Sequence, residues 1–150
     1  MNPELRELYQ SVIIDHGKNP RHFKEIEGYT HKLEGYNPLC GDRLTLYLKV
    51  KDDVIQEIGF TGSGCAISMA SSSLMSEAIK GKSVQEAEGL YRRFHNMLTG
   101  SKADAGDEES DKLAVLGGVK EFPTRIKCAT LAWHTLKHAL QKSEQPVTTE

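Results

Sequence analysis

The sequence holds no apolar run approaching the roughly 20 residues that a membrane-spanning helix needs. Its opening, MNPELRELYQ, lacks the apolar core of a signal peptide. The expectation is a cytoplasmic protein. An excess of one charge is also missing. There are 19 basic against 21 acidic side chains, a net of −2, which leaves no electrostatic ground for a nucleic-acid or membrane partner. Cysteine is scarce and odd in number: Cys40, Cys65 and Cys128. Three thiols in a cytoplasmic chain do not make a disulfide framework, and no two of them form a CxxC pair. They are left as buried inert thiols, metal ligands or nucleophiles. No internal repeat is visible. What is present is 150 residues, 38% apolar and 27% charged, enough for one domain with its own hydrophobic core.

Leu5, Leu8, Tyr9, Val12 and Ile13 fall on one face of a helix predicted to stop near His16 and Gly17. Asn19-Pro20 marks an irregular segment, and Tyr29 to Tyr36 carries a weak strand signal. Leu44, Leu46, Leu48 and Val50 alternate with Thr45, Tyr47 and Lys49, the period of a half-buried strand. A turn at Asp52-Asp53 returns the chain as another strand over Val54 to Thr61. Helical spacing resumes at Ile67, Ala70, Leu74 and Ala78, and Gly81 ends it. Ser83-Val84-Gln85-Glu86 is a capping box, followed by Ala87, Leu90, Tyr91, Phe94 and Leu98 on one face and closed by Gly100. Ser101 to Asp111 reads as an acidic surface loop, and Leu113 to Leu116 as a short helix. Pro123-Thr124 signals a last helix over about Arg125 to Gln141, with Ala129, Ala132, Leu136 and Ala139 inward. The tail from about 143 to 150 is expected to fray. One helix, then strands, then helices predicts an α+β fold: an antiparallel three-stranded sheet with helices packed on one face. The other face, with Thr45, Tyr47 and Lys49, is left to water.

Cys40 lies in the turn before the strongest strand. Cys65 follows Thr-Gly-Ser-Gly and opens a helix, and Cys128 falls in the first turn of the last one. Helix starts carry partial positive charge and free N–H groups, which favour a thiolate. Glycines at 41, 62 and 64 permit close backbone approach. With Asp42 as a fourth donor, the three thiolates compose a closed tetrahedral zinc site. Position and spacing alone leave the other reading open as well, since free cysteine is among the most buried residue types. His134 and His138, one helical turn apart, are a second metal candidate. No glutamate follows the first of them, and a histidine is favoured late in a helix in any case. His16, His22, His31 and His95 receive no role, and Trp133 reads as packing or a surface anchor.

The stretches "LYQSVIIDHGKNPRHF", "NPLCGDRLTLYLKV", "FTGSGCAISMASSSLMSEAIKGK" and "FPTRIKCATLAW" resemble, in order and over nearly the whole chain, the U-type (IscU/NifU-like) iron–sulfur cluster assembly proteins. The closer resemblance is to the SufU branch, with residues from about 83 to 111 similar to its insertion. The resemblance implies one U-type domain over residues 1–150, and zinc held by Cys40, Asp42, Cys65 and Cys128. It implies a SufS-type, pyridoxal-phosphate-dependent cysteine desulfurase as the sulfur source. A downstream iron–sulfur assembly complex would be the recipient. Where cluster scaffolds of this type carry a histidine before the last cysteine, this chain has Lys127, so one cluster ligand is missing. The expected role is a zinc-dependent sulfur acceptor and carrier, a sulfurtransferase-type shuttle with Cys40 as the receiving thiol. The rivals are a scaffold on which an iron–sulfur cluster is built, a module with purely structural zinc, and a thiol peroxidase using Cys40. No base lies near Cys40 in sequence to support the last.

Overall fold

The computed structural model describes residues 3–99, 115–141 and 147–148. The acidic segment Ser101 to Asp111, Gly100, Leu113 and most of the expected tail lie outside the described residues. The elements run α1 (Pro3–Lys18), β1 (His31–Asn37), β2 (Asp42–Lys51), β3 (Val54–Ser63), α2 (Ala66–Ile79) and α3 (Val84–Thr99). Two short 3₁₀ turns, Gly117–Glu121 and Pro123–Arg125, lead into α4 (Ile126–Leu140), and a two-residue strand β4 (Val147–Thr148) follows. No helix among the described residues is long and apolar enough to cross a membrane.

Strands β1, β2 and β3 form the antiparallel meander, in the order β3-β2-β1-β4. Asp52 and Asp53 take φ values of 55° and 62°, the left-handed pair of a two-residue type I′ hairpin whose twist matches the strands it joins. Val147–Thr148 pairs parallel with Gly35 and Tyr36 at the β1 edge, where the sequence reads only a fraying tail. Leu33, Leu44, Leu46, Leu48, Ile58 and Phe60 form the inner sheet face. Against it pack α2, through Leu74, Met75 and Ile79, and α4, through Leu131, Ala132 and Leu136. Trp133 is core, stacked on Phe94 of α3 at 4.7 Å. The capping box forms as read: Ser83 N–H donates to Glu86 Oε1 at 2.9 Å, and Glu86 N–H to Ser83 Oγ at 3.1 Å.

Three expectations are corrected. The outer sheet face is not all left to water. Tyr47 is buried, donates its hydroxyl to Glu25 Oε1 at 3.0 Å, and meets Tyr29 edge-on at 5.6 Å. The irregular segment after α1 thus folds back over this face and covers a large amphipathic ring that alternation assigns to solvent. On α1, Leu5 and Leu8 are about half exposed, and the buried stripe is Tyr9, Val12, Ile13 and His16. The helical period puts His16 in line with that stripe and Leu8 on its flank. The last helix has no side-chain cap from Thr124; the 3₁₀ turn Pro123–Arg125 feeds α4 directly.

Candidate metal centre

Three chain segments meet at one end of the sheet: the β1–β2 turn, the β3–α2 junction and the first turn of α4. The hairpin register pairs Asn37 with Asp42 and so fixes the mouth of the turn that carries Cys40. Within that turn the Cys40 N–H donates to the Asn37 carbonyl at 3.3 Å. Asp42 begins β2 yet is only 1% exposed. Its Oδ2 accepts from Asn37 Nδ2 at 2.9 Å, and its Oδ1 accepts from the Cys65 backbone N–H at 2.8 Å. Cys65 is the N-cap of α2, its thiol accepting from Ser68 N–H at 3.4 Å. A side-chain carbon at Gly64 would stand 2.6 Å from Asp42 Oδ1, so this contact requires glycine. Cys128, fully buried, places Sγ 3.1 Å from Cys40 Sγ and 3.4 Å from Asn37 Nδ2.

The donor atoms of Cys40, Asp42 and Cys128 lie within 4.8 Å of one another. Cys65 is not part of that set, but its backbone holds Asp42 and its thiol acts on Cys128. Burial pushes the Cys128 thiol pKa well up. Contact with Cys40 adds to this, as do the charges of Cys65 and Asp42. At the rim, Arg125 sets Nη1 3.5 Å from Cys40 Sγ. The thiols in turn hold its guanidinium more firmly protonated, contact with Cys128 first and then the charges of Cys40, Cys65 and Cys128. The buried Cys128 thiol, beside a second thiol and a carboxylate, is costly to ionise without a cation. The donor set, sulfur-rich with one oxygen, fits zinc in a four-ligand site when Cys65 completes it. Asn37, itself fully buried, clamps Asp42 and Cys128 from behind, as outer hydrogen-bond partners of metal ligands do.

All four predicted site residues therefore gather at one place, three of them tightly. Asn37 is the participant that sequence reasoning missed; it looked like an ordinary turn residue before Pro38. His134 and His138 join no metal-binding group among the described residues. His134 Nδ1 meets the Tyr91 hydroxyl at 3.0 Å instead. His16 and His22, given no role, are structural: their Nδ1 atoms hydrogen-bond Ser73 Oγ at 2.7 Å and Ser76 Oγ at 2.9 Å, and so fasten α1 and the segment after it to α2.

The fold and the site define a class: a small α+β domain that brings chain-distant thiols and one carboxylate together at the end of an antiparallel sheet. The sequence profile described as NifU-like N terminal domain matches residues 8–149, and the chain belongs to that family, the U-type proteins. The iron–sulfur cluster assembly scaffold protein IscU of Streptococcus pyogenes serotype M1 is 43% identical over 140 residues, spanning 93% of this chain and 87% of the relative. The zinc-dependent sulfurtransferase SufU of Bacillus subtilis is 42% identical over 143 residues, spanning 95% and 96%. Among solved structures, the SUF-system scaffold protein of Fervidobacterium islandicum AW-1 matches with a TM-score of 0.83 at 37% identity, over 90% of this chain and 98% of that one.

Proposed function

We propose that the chain is a zinc-dependent sulfur acceptor and carrier for iron–sulfur cluster assembly. Its source is the persulfide of a SufS-type, pyridoxal-phosphate-dependent cysteine desulfurase. The carrying observation is the set Cys40, Asp42 and Cys128 within 4.8 Å, with Cys65 bonded to Asp42 beside it. In this reading Cys40, Asp42, Cys65 and Cys128 hold zinc, which when bound keeps thiols deprotonated and masked.

Cys40 is the acceptor. Cys128 is fully buried in a helix, and the Cys65 thiol is engaged as a helix cap. Cys40 is partly exposed in a turn beside Gly41, which holds φ 72°. Its thiolate attacks the outer sulfur of the donor persulfide. A new S–S bond forms on Cys40, the donor S–S bond breaks, and the donor cysteine leaves as thiolate while the outer sulfur keeps its hydrogen. The Arg125 guanidinium beside Cys40 stabilises the attacking charge.

The second reading is a cluster scaffold, favoured by the 43% identity to an IscU protein. Lys127 weighs against it: at the position where the resemblance leads one to expect a histidine, this exposed side chain offers an ammonium with no lone pair. The test incubates the full chain with cysteine desulfurase and cysteine without reductant, then measures intact mass and maps peptides. One added sulfur on Cys40, absent in Cys40→Ser, is the expected result. Persulfide only on Cys65 or Cys128 refutes the acceptor assignment. An iron–sulfur absorption band after anaerobic reconstitution, with no sulfur uptake, establishes the scaffold.

A further inference from the structure

We infer that the apolar groove between α1 and the turn before α4 is the seat of the sulfur donor. It takes a large apolar side chain, with the adjoining main-chain carbonyl, from the loop that carries the persulfide cysteine of a SufS-type desulfurase. This rests on the sulfur-acceptor reading and adds to it where the donor lies. The groove encloses about 370 Å³. Tyr9, Ile13 and Ile14 of α1, Ile67 of α2, and Phe122 and Arg125 before α4 line it. Ile14 is 55% exposed and Phe122 43%. Apolar side chains left open around one cavity mark a contact surface, as singly scattered ones do not.

Two features point to the donor as the occupant. Arg125 both lines the groove and sets Nη1 3.5 Å from Cys40 Sγ, and Leu39, next to Cys40, is 66% exposed. Whatever fills the groove therefore lies against the acceptor thiol, where the donor has to come. A guanidinium at that junction has donors to spare for a carbonyl of the incoming loop. The other feature is Tyr9, which is only 6% exposed and whose hydroxyl has no hydrogen-bond partner among the described residues. A donor buried without an acceptor costs free energy, and a carbonyl brought in by the loop supplies the acceptor. Burial raises the pKa of that hydroxyl, and the charges of Cys65 and Arg125 act on it in opposite senses, so this wall of the groove adjoins the thiol centre. The remaining lining is aliphatic and aromatic, the surroundings in which a single large anchor side chain binds best.

The test titrates the full zinc-loaded chain into a SufS-type cysteine desulfurase by calorimetry. Ile14→Asp alters an exposed side chain, so zinc content and melting temperature should match wild type while Kd rises by about tenfold or more. Tyr9→Phe keeps the ring stacked on Phe122 and removes only the hydroxyl, and should raise Kd by about two- to tenfold. Phe23→Ser, at a comparably exposed apolar side chain outside the groove, should bind as wild type does. Wild-type affinity in either groove variant overturns the inference, and so does a wild type that does not bind the desulfurase. Sedimentation that shows a dimer split by Ile14→Asp, with desulfurase binding unchanged, assigns the groove to a second copy and also overturns it. Inorganic polysulfide needs no seat and should load Cys40 equally in wild type and both groove variants, whereas loading from desulfurase and cysteine should fall with affinity. If the groove variants lose binding while wild type takes no sulfur from the desulfurase, the inference stands and the acceptor reading falls.

Discussion

Asp42 uses both of its carboxylate oxygens, one for Asn37 and one for the Cys65 N–H. A residue at the first position of its strand would by itself be expected to tolerate alanine with little effect beyond metal binding. Its burial changes that. Alanine there removes the acceptor from the buried Asn37 amide and from the part-buried Cys65 N–H, at a cost of about 1–3 kcal/mol, so the variant should lose stability even without metal, as well as zinc affinity. Gly64→Ala separates the two effects. Its new methyl would press on Asp42 Oδ1, at 2.6 Å, and displace the carboxylate without removing it. Competition against a chromophoric chelator should show zinc binding weakened by about tenfold or more, the scale of outer-shell damage at metal sites. Unchanged affinity in Gly64→Ala would mean that Asp42 does not hold the metal. At this scale each thiol's place at a turn or helix start was legible, but position left a shared site and inert core thiols both open, and the convergence of the three came only with the tertiary fold. Asn37 was not legible. Its role depends on the register that sets it opposite Asp42 and on a contact 91 residues away in sequence with Cys128.

The pairing of α3 with α4 joins an apolar contact to a polar one. Phe94 stacks on Trp133. One turn along, Tyr91, His95 and His134 bring their rings within 5.8 Å of one another. Burial lowers the pKa of His134, and the charges of His95, Lys137 and His138 lower it further. A histidine depressed in the folded state takes up its proton more readily when unfolded. Its neutral form is therefore compatible with full stability above its ordinary pKa of about 6.5, and acid drives unfolding as pH falls through that range. Urea denaturation at about pH 7.5 and about pH 5.5 should show lower stability at the acid end, with chelator present at both so that metal loss is not the cause. His134→Gln should flatten the difference, and an equal pH slope in that variant would assign it to other groups. Helices were legible wherever the sequence carries their own punctuation, as at the Ser83–Glu86 box. The cover over Tyr47 was not. The segment from His22 to Tyr29 has no period of its own, and what it packs against is decided by tertiary contact.

Across the whole molecule, the order of helix, meander and helices was readable from periodicity, and the fold brings the β1–β2 turn, the β3–α2 junction and the α4 start to one pole. The parallel edge strand Val147–Thr148 escaped because two residues carry no period. The centre at that pole ties together residues 40–42, 65 and 128, segments that are far apart in the unfolded chain. A metal that binds them in the folded state and not in the unfolded one adds its binding free energy to folding. Zinc at about 100 times its dissociation constant adds about 2.7 kcal/mol. At about 2–4 °C per kcal/mol for a chain of this size, chelation should lower the melting temperature by roughly 5–10 °C. Differential scanning calorimetry of zinc-loaded and chelated protein measures this directly, with elemental analysis expected to give about one zinc per chain. The same comparison on Cys128→Ser should show a much smaller difference, because Cys128 is the proposed ligand that α4 contributes. A wild-type melting point that ignores chelation, or a Cys128→Ser difference as large as wild type's, would show that the three segments are held by packing and that the metal does not join them.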